Sequence, residues 1–292
     1  MRSILDVPAP AKLNLFLHVV GRRADGYHLL QSAFMLIDWC DTLHFERRAG
    51  DAISREDIGD GPGLPTDDLC VRAAAALQQA SGCTEGVHIT LDKRVPAQAG
   101  MGGGSSDAAS TLLALNRLWK LRLSRSQLAA IAQELGADVP FFLGGGNAWV
   151  EGIGERLQPL TLPRARFVVL KPPQGVETAA IFRSEALQRS TIPATIAGFA
   201  ADPWTFGHND LQPVAEGLCP QIREGLAWLA SAGLAGRMTG SGSALFAHLA
   251  GREAPALPAG LLAAGWQIRE CGNLAVHPLA GWAGSDDQGC VA

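Results

Sequence analysis

Polar and apolar residues alternate over positions 12–20, which places Leu13, Leu15, Leu17 and Val19 on one face of a strand and Lys12, Asn14, Phe16 and His18 on the other. Lys12 and Asn14 therefore point the same way. The turn-rich stretch 21–26, with its Asp25-Gly26 pair, ends this strand, and an apolar run over 29–37 predicts a second. Residues 41–46 predict a third. A segment rich in Gly, Pro and Asp follows as a loop; residues 69–80 then read as a helix, and Val87, Ile89 and Leu91 as a strand that Pro96 ends.

Residues 105–119 carry Ala108, Leu112, Leu115 and Trp119 at helical spacing. Ser124 and Gln127 have the spacing of a capping box ahead of a shorter helix with Leu128, Ile131 and Leu135, closed by Gly136. Beyond 144–146 the pattern predicts short strands through Leu170, helices over 178–187, 209–218 and 222–230, a strand over 244–249, and a loosely ordered tail after Gly281. Helices and strands interleave without a regular βαβ rhythm. The fold class is therefore α+β with two lobes, residues 1–160 and 161–292, dividing near Pro159.

A net charge of −4 with scattered Arg residues argues against a nucleic-acid partner, since backbone binding needs clustered cations. The six cysteines show no metal-binding spacing, which suits a reduced, cytoplasmic protein. The amino terminus has neither an apolar h-region nor a transit-type pattern, and no apolar stretch reaches membrane-spanning length. No signal in the sequence speaks to an oligomeric state.

Candidate chemistry concentrates in Gly100, Met101, Gly102, Gly103, Gly104, Ser105 and Ser106, a glycine run joining a strand to a helix. Backbone without Cβ atoms lets a ligand approach closely, and the amide donors ahead of a helix amino terminus suit a triphosphate. The run is not a Walker A loop, because no Lys-Ser/Thr follows the glycines, and it lacks the spaced Rossmann fingerprint. A tight turn that binds nothing is the plainer alternative. Asp138 follows a helix stop, where a cap is its ordinary role. Lys12 alone reads as an edge lysine, and residues 240–243 as a turn or a second phosphate-side loop.

Taken together, Pro10-Ala11-Lys12-Leu13-Asn14, the glycine loop and Thr239-Gly240-Ser241-Gly242-Ser243 resemble, in order, the three motifs of the galactokinase, homoserine kinase, mevalonate kinase and phosphomevalonate kinase (GHMP) superfamily. Residues 21–30 (GRRADGYHLL) and 135–142 (LGADVPFF) resemble the branch that acts on 4-diphosphocytidyl-2-C-methyl-D-erythritol in the non-mevalonate route to isoprenoid precursors. The match runs through nearly the whole chain. It implies a two-domain fold with the site in the inter-domain cleft, and ATP held by Pro96, Ala97, Gln98, Ala99 and the loop through Ser106, with Lys93 and Asp107 nearby. It also implies that Asp138 is the catalytic base and Lys12 its partner, that Asn14, Tyr27, His28 and Phe182 meet the cytidyl substrate, and that Mg²⁺ arrives with the nucleotide rather than on a protein metal site. Met101 stands where Leu is common, and Gln98-Ala99 makes the start of the loop less glycine-rich than in some relatives. The alternatives are another alcohol kinase of the superfamily and a nucleotide-binding protein without turnover.

Overall fold

The computed structural model describes residues 1–58 and 64–284, and two sheets organise it. β1 (Ser3–Arg22) and β2 (His28–Arg48) form a long antiparallel hairpin. β4 (Gly86–Asp92) pairs with β2 over residues 42–48, and β3 (Ile53–Ile58) runs parallel to β4. β5 (Ala148–Gly152) pairs with β2 over residues 30–34, and β6 (Arg156–Pro159) completes the sheet. The second sheet is antiparallel, with β7 (Arg166–Lys171), β8 (Arg237–Met238), β9 (Leu245–His248) and β10 (Gln267–Gly272) in the order β10-β7-β9-β8.

Four layers result from which face each strand residue buries. Phe34, Leu36, Leu43 and Phe45 face α1 (Leu69–Ser81), α2 (Gly103–Leu118), α3 (Arg125–Leu135) and α4 (Val139–Leu143). Their neighbours Ala33, Met35 and Ile37 point the other way, onto Phe167 and Val169 of the second sheet. Val168 and Leu170 then face α7 (Gln212–Leu218) and α8 (Pro220–Ser231). Each sheet thus buries both faces, which the period-two geometry of a strand permits when both faces are apolar. α5 (Thr178–Arg183), α6 (Ile196–Ala201) and α9 (Ala259–Ala263) are single short turns in the second half.

The α+β class agrees with the sequence reading, but several elements do not. The strict alternation expected from Lys12 to Val20 is broken by register shifts between Pro10 and Lys12 and between Asn14 and Leu17. Phe16 consequently joins Leu13 and Leu15 between the sheets, while Leu17 turns to the side of Lys12 and Asn14. The second and third predicted strands are one strand: Asp38, the apparent break, accepts a hydrogen bond from the Gly272 amide at 3.0 Å on the exposed side. β3 was expected as part of a loop, because its residues are mostly exposed and show no alternation. The capping box is formed in full, with Ser124 Oγ accepting from Gln127 N and Gln127 Oε1 accepting from Ser124 N.

Part of the tail expected to be loose is ordered, since Ala280–Trp282 forms a 3-10 turn and Gly284 bridges to Ser124. The remainder of that tail, residues 285–292 with Cys290, lies outside the described residues, as do residues 59–63 of the Gly/Pro-rich loop. The other five cysteines are free thiols. No helix among the described residues is long and apolar enough to cross a membrane.

Candidate active site

A cleft of about 650 Å³ opens between the halves of the molecule, lined by β1, the glycine loop, the turn before α4, the start of α5 and the loop after β8. Its volume is in the range of small-molecule sites. The glycine loop reaches it because Gly102, at φ +70°, turns the chain into α2 as its N-cap residue. A side chain there would be strained and would press on Phe142 and on Lys12 Cγ. The first amides of this 16-residue helix have no intrahelical acceptor and sit at the cleft, where an anion gains from both the donors and the helix dipole.

Lys12 lies at the cleft wall, its side chain only 4% exposed. Its backbone amide donates to Met101 O at 2.9 Å, which fastens β1 to the glycine loop. Its ammonium donates to Asn14 Oδ1, stands 3.4 Å from Asp138 Oδ2 and lies 4.3 Å over the Phe34 ring. Asn14 is held in turn: its Nδ2 donates to Ser32 Oγ at 2.9 Å, and its backbone amide donates to Thr239 Oγ1 at 2.9 Å. Asp138 occupies the N-cap position of α4, yet its side chain makes no capping hydrogen bond. It is 32% exposed and turned into the cleft. The ordinary role expected of a helix-start aspartate is therefore not the one this carboxylate fills.

Lys93 also lines the cleft, pinned between Asp41 and Asp107, with Asp107 Oδ2 at 2.7 Å. Burial works against its charge, but the two carboxylates outweigh it and raise the Lys93 pKa above the ordinary lysine value. Burial, with Asp41 adding to it, raises the Asp107 carboxyl against the pull of Lys93. Two of the three Lys93 donors are thus occupied, and one remains for a ligand. Asp41 also accepts from the amides of Arg94 and Val95, at 2.5 and 2.6 Å, which fixes the chain entering the loop.

Residues 96–105 all line the cleft; Ser106 is wholly buried beneath it. Gln98 sits at φ +50°, a left-handed conformation that glycine adopts without cost, and Ser243 N and Ala244 N donate to the Gln98 and Ala99 carbonyls. Tyr27 and His28 line an adjoining pocket of about 610 Å³ that meets the cleft at Leu30, Ile153 and Phe182. The His28 and Phe182 rings are 5.0 Å apart and inclined by 30°, and Tyr27 is 60% exposed at the rim. Sequence reasoning missed Asp41, Ser32 and the hydrogen bond between Thr178 Oγ1 and Ser241 Oγ, 2.7 Å long, that crosses the cleft. Of these only Ser241 stands in a motif, and each gains its role from a partner more than a dozen residues away.

The space at Gly103 gives a test of the loop. A Cβ there would lie 3.0 Å from Val95 Cγ1 and 3.1 Å from Lys93 Nζ. Gly103 is an ordinary helical residue without positive φ, so the penalty for Gly103→Val is crowding rather than backbone strain. Overpacking of this kind costs about 1 to 3 kcal/mol. If the loop holds ATP, as the resemblance implies, a cost of that size felt at the loop weakens ATP binding by about five- to 150-fold. Calorimetric titration of the folded variant checks this, and an unchanged affinity would remove the loop from the nucleotide site.

Two family models match the chain, GHMP kinases N terminal domain over residues 68–146 and GHMP kinases C terminal over residues 196–258. The chain is 60% identical over 291 residues to a 4-diphosphocytidyl-2-C-methyl-D-erythritol kinase of Paracidovorax citrulli, covering 98% of this chain and 100% of that one. It is 61% identical over 290 residues to the protein of the same name from Delftia acidovorans, covering 97% and 98%. Among solved structures, a 4-(cytidine 5'-diphospho)-2C-methyl-D-erythritol kinase superposes with a TM-score of 0.77 at 36% identity, over 93% of this chain and 98% of that one. A homoserine kinase from Cytophaga hutchinsonii shares the fold, with a TM-score of 0.69 at 18% identity over 95% and 96%.

Proposed function

The chain belongs to the 4-diphosphocytidyl-2-C-methyl-D-erythritol kinase family of GHMP kinases, and from that premise we propose that Asp138 and Lys12 transfer the γ-phosphoryl group of ATP to the C2 hydroxyl of that substrate. It is an ATP-dependent small-molecule kinase. One observation carries the assignment of roles: Lys12 and Asp138 line the same cleft as the glycine loop, and that cleft adjoins the Tyr27/His28 pocket through Phe182. A triphosphate on one side and a cytidyl group on the other bring the reacting atoms to the Lys12–Asp138 pair.

ATP lies on residues 96–107 with Lys93 beside it, its phosphates facing the amides that open α2. Phosphoryl transfer asks mainly for positioning and charge neutralisation. Asp138 accepts the hydroxyl proton as the substrate oxygen bonds to the γ-phosphorus and the bond to the β-phosphate oxygen breaks, releasing ADP. Lys12 orients Asp138 and offsets charge on the transferring group, while Asn14 and the Phe34 ring hold the ammonium in place. Mg²⁺ supplies further charge neutralisation when bound with the nucleotide. Ser106 Oγ and Asp107 Oδ1, buried without a hydrogen-bond partner, are the oxygens of this chain that suit it.

In this reading the chain divides near Pro159, with residues 1–160 as the nucleotide-binding domain and 161–292 as the substrate-side domain, and it works in the cytoplasm. Separate sheets on either side of residue 160 and five unpaired cysteines support those assignments. Phe182→Ala tests the cytidyl pocket. One stacking face on a base is worth about 1 to 3 kcal/mol, so KM for the cytidyl substrate rises by roughly one to two orders of magnitude while KM for ATP stays put. A variant that melts earlier yet keeps the wild-type KM makes Phe182 an ordinary packing residue.

A further inference from the structure

Arg189 lies outside every motif, in the chain that follows α5, and its guanidinium has no carboxylate partner among the described residues. Its hydrogen bonds go instead to His28 and Phe182, which line the cytidyl pocket, and to the chain that follows α5. Nε donates to His28 Nε2 at 3.0 Å across 161 residues of sequence. Nη1 donates to Leu187 O at 3.1 Å, and Nη2 donates to Phe182 O at 3.2 Å and Ser184 O at 2.7 Å. The last carbonyls of a helix lack intrahelical donors, and here one side chain satisfies those of Phe182 and the C-cap residue Ser184. The same planar fork therefore holds the backbone of one aromatic wall and the imidazole beside it.

A guanidinium only donates hydrogen bonds. His28 Nε2 must then be an unprotonated acceptor, which leaves the ring neutral with its proton on Nδ1. We infer that Arg189 is a positioning residue for substrate recognition, locking His28 as a neutral Nδ1–H donor toward an acceptor on the pyrimidine edge while it holds the Phe182 wall in place. The surrounding charges agree. Burial lowers the His28 pKa, and Arg189 and then Arg22 lower it further. The groups around the ring are Arg22 from β1, Asp25 and Tyr27 from the turn, Arg183 from α5 and Arg189. Asp25 is paired with Arg23 at 2.6 Å.

This inference rests on the cytidyl reading above, and its test separates the two. Without Arg189 the neutral ring is free to take the other tautomer, which turns an acceptor toward the base. Its pKa also rises as the Arg189 charge is lost, while burial and Arg22 continue to lower it. Below that raised pKa both nitrogens carry protons and the Nδ1–H donor returns. For Arg189→Gln, the ratio of variant to wild-type KM for the cytidyl substrate is expected to be about tenfold at pH 8 and about threefold at pH 6, the worth of a hydrogen bond at the higher pH. KM for ATP does not follow this pattern. A purely structural role for Arg189 predicts a ratio independent of pH.

The tautomer is read without turnover from long-range ¹H–¹⁵N spectra of the ¹⁵N-histidine-labelled wild-type chain, with the His28 signals identified by their loss in His28→Gln. The expected spectrum has a protonated Nδ1 and an unprotonated Nε2 at pH 8. A protonated Nε2 overturns the Arg189 assignment, and so does a wild-type KM for Arg189→Gln at every pH in an enzyme active on the cytidyl substrate. The predicted tautomer in a wild-type enzyme that does not phosphorylate that substrate overturns the substrate reading instead, and the recognition role with it.

Discussion

Asp138→Asn lowers kcat by about 10² to 10⁴ and leaves the melting temperature and ATP affinity close to wild type. The magnitude is that of a general base lost from a proton-transfer step. The selectivity follows from the geometry. Asp138 makes no capping hydrogen bond to α4, so Asn removes no structural contact of the carboxylate beyond the ion pair at 3.4 Å with Lys12. Its partial exposure lets water solvate the new amide, which places the stability change within about 0.5 kcal/mol. Steady-state kinetics with thermal unfolding on the same preparation checks both halves. Near-normal kcat would return Asp138 to a local role at the helix start.

Lys12→Met lowers kcat by about 10² to 10³, the loss seen when one preorganised donor to a developing negative charge is removed. Met fills a similar volume over the Phe34 ring, and removing a buried ammonium relieves its desolvation. Against this, Asn14 Oδ1 loses a donor, at a cost of about 1 kcal/mol. Folding stability therefore changes by no more than about 1 kcal/mol, far less than the effect on the chemistry. Because Lys12 orients Asp138, the two substitutions act on one unit. The double variant is expected to be within about tenfold of the worse single one, rather than the product of both losses. Full additivity in a kinetic cycle would separate the residues into independent roles.

The glycine loop, Lys12 and Asn14 on a shared strand face, and the capping box of α3 were legible because each depends on residues within a turn or a strand of one another. What escaped depends on distant partners. The shift between Asn14 and Leu17 redirects Leu17 to the cleft, but both faces of β1 are buried there, and the unbroken apolar run Leu15-Phe16-Leu17 hides a bulge inside the alternation. β3 was invisible for the opposite reason, being an edge strand whose side chains are mostly exposed. α4 and α6, of five and six residues, are too short for a helical period to register, and the helix expected over 178–187 ends at Arg183. In the site, Asp41 reaches Lys93 across 52 residues and Arg189 reaches His28 across 161, and no local pattern announces either pairing.

The central claim is that the cleft phosphorylates a cytidyl-linked polyol rather than a simple alcohol. The most direct measurement is ³¹P NMR of ATP and Mg²⁺ with the wild-type enzyme and, in parallel tubes, 4-diphosphocytidyl-2-C-methyl-D-erythritol, homoserine or mevalonate. The account predicts a new phosphomonoester resonance, with matching ADP, in the cytidyl tube alone; a phosphomonoester formed from homoserine or mevalonate but not from the cytidyl substrate would contradict it.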